Sequence, residues 1–88
     1  MPIISTFFGI IIRIYFSDHN PPHLHAEYQD REALFDITTG EIIAGQLPRT
    51  QRAQIAWWIR ANQAALADNW YRAYNDQPTF RIRGLDQP

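Results

Sequence analysis

All three histidines of the chain fall within seven consecutive residues, His19-Asn20-Pro21-Pro22-His23-Leu24-His25. Imidazole changes charge near neutrality and is a common metal ligand, so the cluster suits two chemistries, proton transfer and metal ligation. In an extended chain, side chains two apart share a face, which sets His23, His25 and Glu27 on one side of a strand and Leu24, Ala26 and Tyr28 on the other. In the first chemistry His25 is the proton-transfer residue and His23 the second acid-base group. Such a kit suits cleavage of an RNA phosphodiester, where the substrate's 2′-hydroxyl attacks and the protein supplies protons and positive charge. In the second chemistry His23 and His25, completed by His19 or by a carboxylate, form a three-ligand set for a divalent metal such as zinc or iron, with open positions left on the ion. A third reading is structural, with the histidines bracing a proline-rich loop on the polar face of a sheet.

Strands must position this cluster. β-branched and aromatic residues dominate the first half of the chain, and turn residues punctuate it at short intervals. The pattern predicts strands over Ile3–Phe7 and Ile10–Phe16, reversed at Gly9, with Ile10, Ile12, Ile14 and Phe16 toward the core and Ile11, Arg13 and Tyr15 outward. A loop over 17–22 follows, since two prolines cannot donate to a ladder. Strands over Leu24–Gln29 and Glu32–Thr38 then make a hairpin around Asp30-Arg31, which sets Gln29 opposite Glu32, Glu27 opposite Leu34 and His25 opposite Asp36. In that register Asp36 orients His25, and Arg13 on the same outer face becomes the phosphate contact.

A fifth short strand is expected over Glu41–Gly45. From Pro48 the period changes: Ile55, Ile59, Leu66, Trp70 and Ala73 recur at helical spacing, interrupted by Asn62, as one long helix or two. Phe80–Arg83 alternates like a strand able to pair with an exposed sheet edge in this chain or in a second copy, which would make a homo-oligomer, and 84–88 reads as a loose tail. The expected fold is α+β: one domain over 1–88, an antiparallel meander of four or five strands with one face covered by C-terminal helix.

Composition excludes several classes. The 88 residues carry eight arginines and no lysine against nine carboxylates, for a net charge of -1, and no cysteine. Thiolate zinc sites, cysteine nucleophiles and disulfide scaffolds are thereby ruled out. The near-neutral balance argues against bulk binding to nucleic acid or a membrane surface. The apolar run Ile3–Phe16 holds Arg13 and is shorter than the roughly 20 residues that span a bilayer, so the expected compartment is the cytoplasm.

Several strings together resemble one family. These are Met1-Pro2-Ile3-Ile4-Ser5, Phe8-Gly9-Ile10, Asp18-His19-Asn20-Pro21-Pro22-His23-Leu24-His25-Ala26, Thr39-Gly40-Glu41-Ile42, Gly45-Gln46-Leu47-Pro48-Arg49, Trp58 and Asn69-Trp70. They are similar to the bacterial domain-of-unknown-function family numbered forty-one sixty. Its members are grouped with toxin components of toxin-antitoxin pairs, because they are often encoded beside a second small protein with a DNA-binding region. The resemblance thus implies a toxin-like protein with a small antitoxin-like partner; joined to the acid-base reading of the histidines, the expectation is a cytoplasmic toxin-like protein that cleaves or binds RNA through the histidine face. The contrasting expectation is a non-enzymatic binding or accessory module whose histidine loop is structural or holds a metal.

Overall fold

The computed structural model describes residues 2–16 and 18–87. Five strands, β1 (Ile3–Phe7), β2 (Ile10–Arg13), β3 (His23–Tyr28), β4 (Arg31–Asp36) and β5 (Ile42–Gly45), form one antiparallel meander in chain order. Two helices follow, α1 (Arg49–Ala61) and α2 (Gln63–Tyr74). The fold is therefore the expected α+β meander with two C-terminal helices. Among the described residues no helix is long and apolar enough to cross a membrane.

Alternation along the strands builds the core. Ile10, Ile12 and Ile14 of the second strand region, Leu24 and Ala26 of β3, and Ala33 and Phe35 of β4 are fully buried. They meet Ile55, Trp58 and Ile59 of α1 and Leu66, Trp70 and Ala73 of α2 in a single cluster. Trp58, fully inside, lies 5.2 Å from Phe7 ring to ring, while its neighbour Trp57 is 62% exposed, as a 100° step along a helix requires. Asn62 separates the helices: its side-chain amide donates to the Trp58 carbonyl at 2.8 Å. Gln63 beside it donates to Ile37 O at 2.7 Å and ties the break to the sheet.

Turn chemistry changes two expectations. Phe8-Gly9 reverses β1 into β2 with both residues at positive φ, 51° and 76°, a geometry that matches strand twist. β2 ends at Arg13, however, and Phe16 lies outside the core at 44% exposure. The β3–β4 turn is Gln29-Asp30, with Gln29 in the left-handed region at φ 58°, so pairing closes at Tyr28 opposite Arg31. The register is shifted by two residues from the expected one: His23 faces Asp36, His25 faces Leu34 and Glu27 faces Glu32. A two-residue slip preserves every face and changes every partner.

The end of the chain also differs from expectation. Phe80–Arg83 forms no ladder strand; one backbone bond, Ile82 N–H to Ile4 O at 2.7 Å, joins it to the outer edge of β1. Residues 84–87 are tied rather than loose. Gln87 donates to Thr6 O at 2.8 Å, the Phe8 N–H donates to Asp86 at 3.0 Å, and a Cβ on Gly84 would come within 2.5 Å of Thr6 O. The carbonyls of Ile4 and Thr6 on an open edge need donors, and this segment provides them. Pro88, Ser17 and Met1 lie outside the described residues.

Fully buried Asn69 clamps the same segment, donating to Phe80 O at 3.0 Å and accepting from Phe80 N at 2.9 Å. Asn69→Ala strands both backbone groups and is expected to cost about 1–3 kcal/mol of unfolding free energy. Urea denaturation measures this, and a loss near zero would show that the segment does not depend on the clamp.

Candidate functional site

The core fixes where the histidines point. Leu24 and Ala26 must face the helices, so His25 and Glu27 are held on the other face of β3. His23, at the first position of the strand, is buried all the same, because its ring packs against Trp70 of α2 at 5.2 Å. Pro21 O, at 2.7 Å, accepts from His23 Nδ1. Pro22 O, one residue on, accepts from the Ile37 N–H and anchors the loop to the end of β4.

Asp18 completes the arrangement. Its Oδ2 lies 2.9 Å from His23 Nε2 and 3.6 Å from His25 Nε2, the second contact being longer than a hydrogen bond. The backbone N–H of His19 donates to Oδ1 at 3.0 Å. Partial burial pushes the Asp18 carboxyl up, but the His19 N–H, the charge and hydrogen bond of His23 and the approach of His25 together outweigh it and hold the group below the usual carboxylate range.

Hydrogen-bond stoichiometry then constrains His23. A ring that donates from Nδ1 to a carbonyl presents a bare lone pair at Nε2 unless it carries a second proton. Nε2 faces the Asp18 carboxylate at 2.9 Å, so the ring turns toward that carboxylate the nitrogen able to take a proton or a cation. His25 leans on Tyr15 at 4.2 Å between ring centres, with its Nδ1 3.9 Å from Glu32. Both of its ring nitrogens are buried, with no hydrogen-bond partner among the described residues.

The donor atoms of Asp18, His23 and His25 lie within 4.8 Å of one another. Around a four-coordinate ion with bonds near 2.0–2.2 Å, ligand atoms sit roughly 3.3 Å apart, between the two Asp18–histidine distances. The three residues border a cavity of about 260 Å³ shared with His19, Asn20, Pro21, Leu34 and Ile43.

The residues singled out from sequence are thus only partly assembled. His23 and His25 converge, with rings 5.4 Å apart. His19 is exposed on the cavity wall and does not join the three converging donor atoms. Arg13 lies across from His25 in the β2–β3 ladder but forms an ion pair with Glu27 at 2.8 Å. Asp36 cannot orient His25: its Oδ1 accepts from the backbone N–H groups of Thr38 at 2.7 Å and Thr39 at 3.1 Å, closing the turn after β4. The carboxylate that reaches the histidines is Asp18, five residues before His23 and hydrogen-bonded to that ring rather than to His25. Its signal was its position at the head of the histidine string, where it reads as ordinary loop.

Among known families, the model described as Domain of unknown function (DUF4160) matches residues 9–71, more than half of the chain and the whole of the histidine loop. No curated protein and no solved structure matches it.

Because its folded-state pKa is lowered, Asp18 contributes stability that is complete above the ordinary carboxylate range and disappears as pH falls through its lowered value. In chelator-treated protein, Asp18→Asn should be less stable than wild type at pH 7, and the gap should close on acidification below about pH 4. Urea midpoints across that range measure it; a gap independent of pH would rule out the ionised Asp18 as its source.

Proposed function

Since the chain belongs to the family of the domain of unknown function DUF4160, whose description names no activity, we propose a function from the site itself: a centre for one divalent metal ion, of the zinc class, held by Asp18, His23 and His25. The observation that carries this reading is the convergence of two imidazole nitrogens on one carboxylate oxygen, at 2.9 and 3.6 Å. The surroundings support it. Pro21 O holds His23 by Nδ1 and so turns Nε2 toward Asp18, the tautomer control that metal-binding histidines use. Glu32 lies 3.9 Å from Nδ1 of His25, near that ring but beyond hydrogen-bond distance. Packing on Trp70 and Tyr15 keeps the two rings from turning away.

A bound ion would polarise a phosphoryl or carbonyl oxygen and lower the pKa of water. Three protein ligands leave positions for substrate, and the cavity beside Leu34 and Ile43 gives access to them. The chain would do the rest: fix the tautomer of His23 through Pro21 O, hold the His25 ring by packing on Tyr15, and exclude bulk water on the Trp70 side.

A second reading keeps the site metal-free, in a cytoplasmic toxin-like protein that acts on RNA and is held in check by an antitoxin-like partner. The 5.4 Å spacing of the His23 and His25 rings favours a proton-transfer pair, with Asp18 replacing Asp36 as the orienting carboxylate. Arg13 would have to leave Glu27 to reach a phosphate. Association through the free edge of β5 belongs with this reading, because the C-terminal segment already lies along the β1 edge.

Elemental analysis after zinc loading and gel filtration separates the two. The metal centre predicts about one equivalent in the wild type, loss in Asp18→Asn and His25→Gln, and retention in His19→Ala, all with native circular dichroism. Equal loading in Asp18→Asn, or less than about a tenth of an equivalent in the wild type, overturns it. A metal-free protein that arrests growth when expressed, and loses that effect in His25→Gln, establishes the second reading instead.

A further inference from the structure

Asn20 borders two cavities. On one side is the space above Asp18, His23 and His25; on the other is a cleft of about 240 Å³ formed with Trp70, Tyr71, Tyr74 and Asn75 at the end of α2. The Trp70 ring joins them, 5.2 Å from His23 and 6.1 Å from Tyr74. Burial of Trp70 is explained by the core, whereas Tyr71 and Tyr74 remain 61% and 49% exposed beside it. Grouped aromatic exposure of this kind marks a contact surface more often than isolated apolar residues do.

The chemistry of the walls selects the occupant. Aromatic faces accept a planar ring, and the side-chain amides of Asn20 and Asn75 can meet polar atoms on its edge. The Asn75 Nδ2 already donates to Tyr71 O at 2.8 Å, which leaves its carbonyl oxygen as an acceptor. The volume is below the roughly 300–1,000 Å³ of drug-sized sites, enough for one ring system and too small for a peptide or an oligosaccharide. No arginine borders the cleft, and the chain has no lysine, so a phosphate attached to that ring must find its positive charge elsewhere.

We propose that this cleft stacks one nucleobase, and that the phosphate of the same nucleotide reaches past Asn20 to the ion held by Asp18, His23 and His25. The substrate class of the site is then a nucleotide phosphoester. The phosphate half rests on the metal reading; the base half stands on the aromatic cleft alone. A free nucleotide and the unpaired end of a strand present the same chemistry.

Adenosine, AMP and a five-residue oligoadenylate, titrated calorimetrically into the full chain with and without one equivalent of zinc, test both halves. Adenosine should bind regardless of zinc, and AMP should gain about tenfold or more when zinc is present. Tyr71→Ala and Tyr74→Ala, both at exposed positions, should each weaken adenosine and AMP by about fivefold or more. Asp18→Asn should keep adenosine binding and abolish the zinc-dependent gain of AMP. Tighter binding of the oligonucleotide than of AMP identifies a strand as the source, and the reverse order a free nucleotide; either supports the assignment. Absence of adenosine and AMP binding at millimolar concentration, or binding unchanged in both tyrosine variants, overturns the inference even where zinc loads stoichiometrically. Tyrosine-dependent binding without any zinc-dependent gain overturns the phosphate half, and the zinc content of the same sample shows whether the metal reading has failed with it.

Discussion

β3 is the central strand of the meander, and its inward face is not negotiable. Leu24 and Ala26 are completely buried against the helices, and exposing a leucine of this kind costs about 1.5–3 kcal/mol before the cavity is counted. A slip of one residue would expose both and drive His25 and Glu27 into the core. The outward direction of His25, and with it the possibility of a site, is therefore a by-product of core formation. Neighbouring strands follow the same rule, which is why Arg13, Glu27 and Glu32 collect on one side of the sheet.

Electrostatics refine what packing delivers. The Asp18–His23 contact spans the loop between β2 and β3 and fastens it to the sheet at the point where the chain re-enters it. On the other side of the same ring stands Trp70, a residue that belongs to the helical half of the core. His23 thus couples the loop, the sheet and α2, and a change of its charge or ligation is felt by all three. His25 is less constrained: it is packed by Tyr15 and has no hydrogen-bond partner among the described residues. One histidine is thus hydrogen-bonded on both ring nitrogens, and the other is held by packing alone.

The C-terminal segment illustrates a different economy. A small domain without disulfides cannot leave many backbone groups unmet, and the β1 edge is closed by irregular chain rather than by another strand. Asn69, Trp58 and Gln87 each donate a side-chain hydrogen bond to a backbone carbonyl there. The alternation of Phe80-Arg81-Ile82-Arg83 reads as a strand because Ile82 does face inward, but one inward residue does not make a ladder.

Alternation and helical period were enough to establish the order of elements, the two-helix option at Asn62, the core faces of β2 and β3 and the placement of His23, His25 and Glu27 on a common side. These depend on the sign of each residue's hydrophobicity, and the chain carries that locally. The partners across the sheet were decided by the turn Gln29-Asp30, where a left-handed residue that is not glycine gives no compositional warning. Asp36 was drawn away by the backbone N–H groups of its own turn, and Asp18 was drawn in from a loop of no fixed period. Contacts of this kind depend on where a flexible segment finds unmet donors once the strands are assembled, and no sequence spacing encodes them; the tertiary structure alone brings Asp18, His23, His25 and Trp70 together.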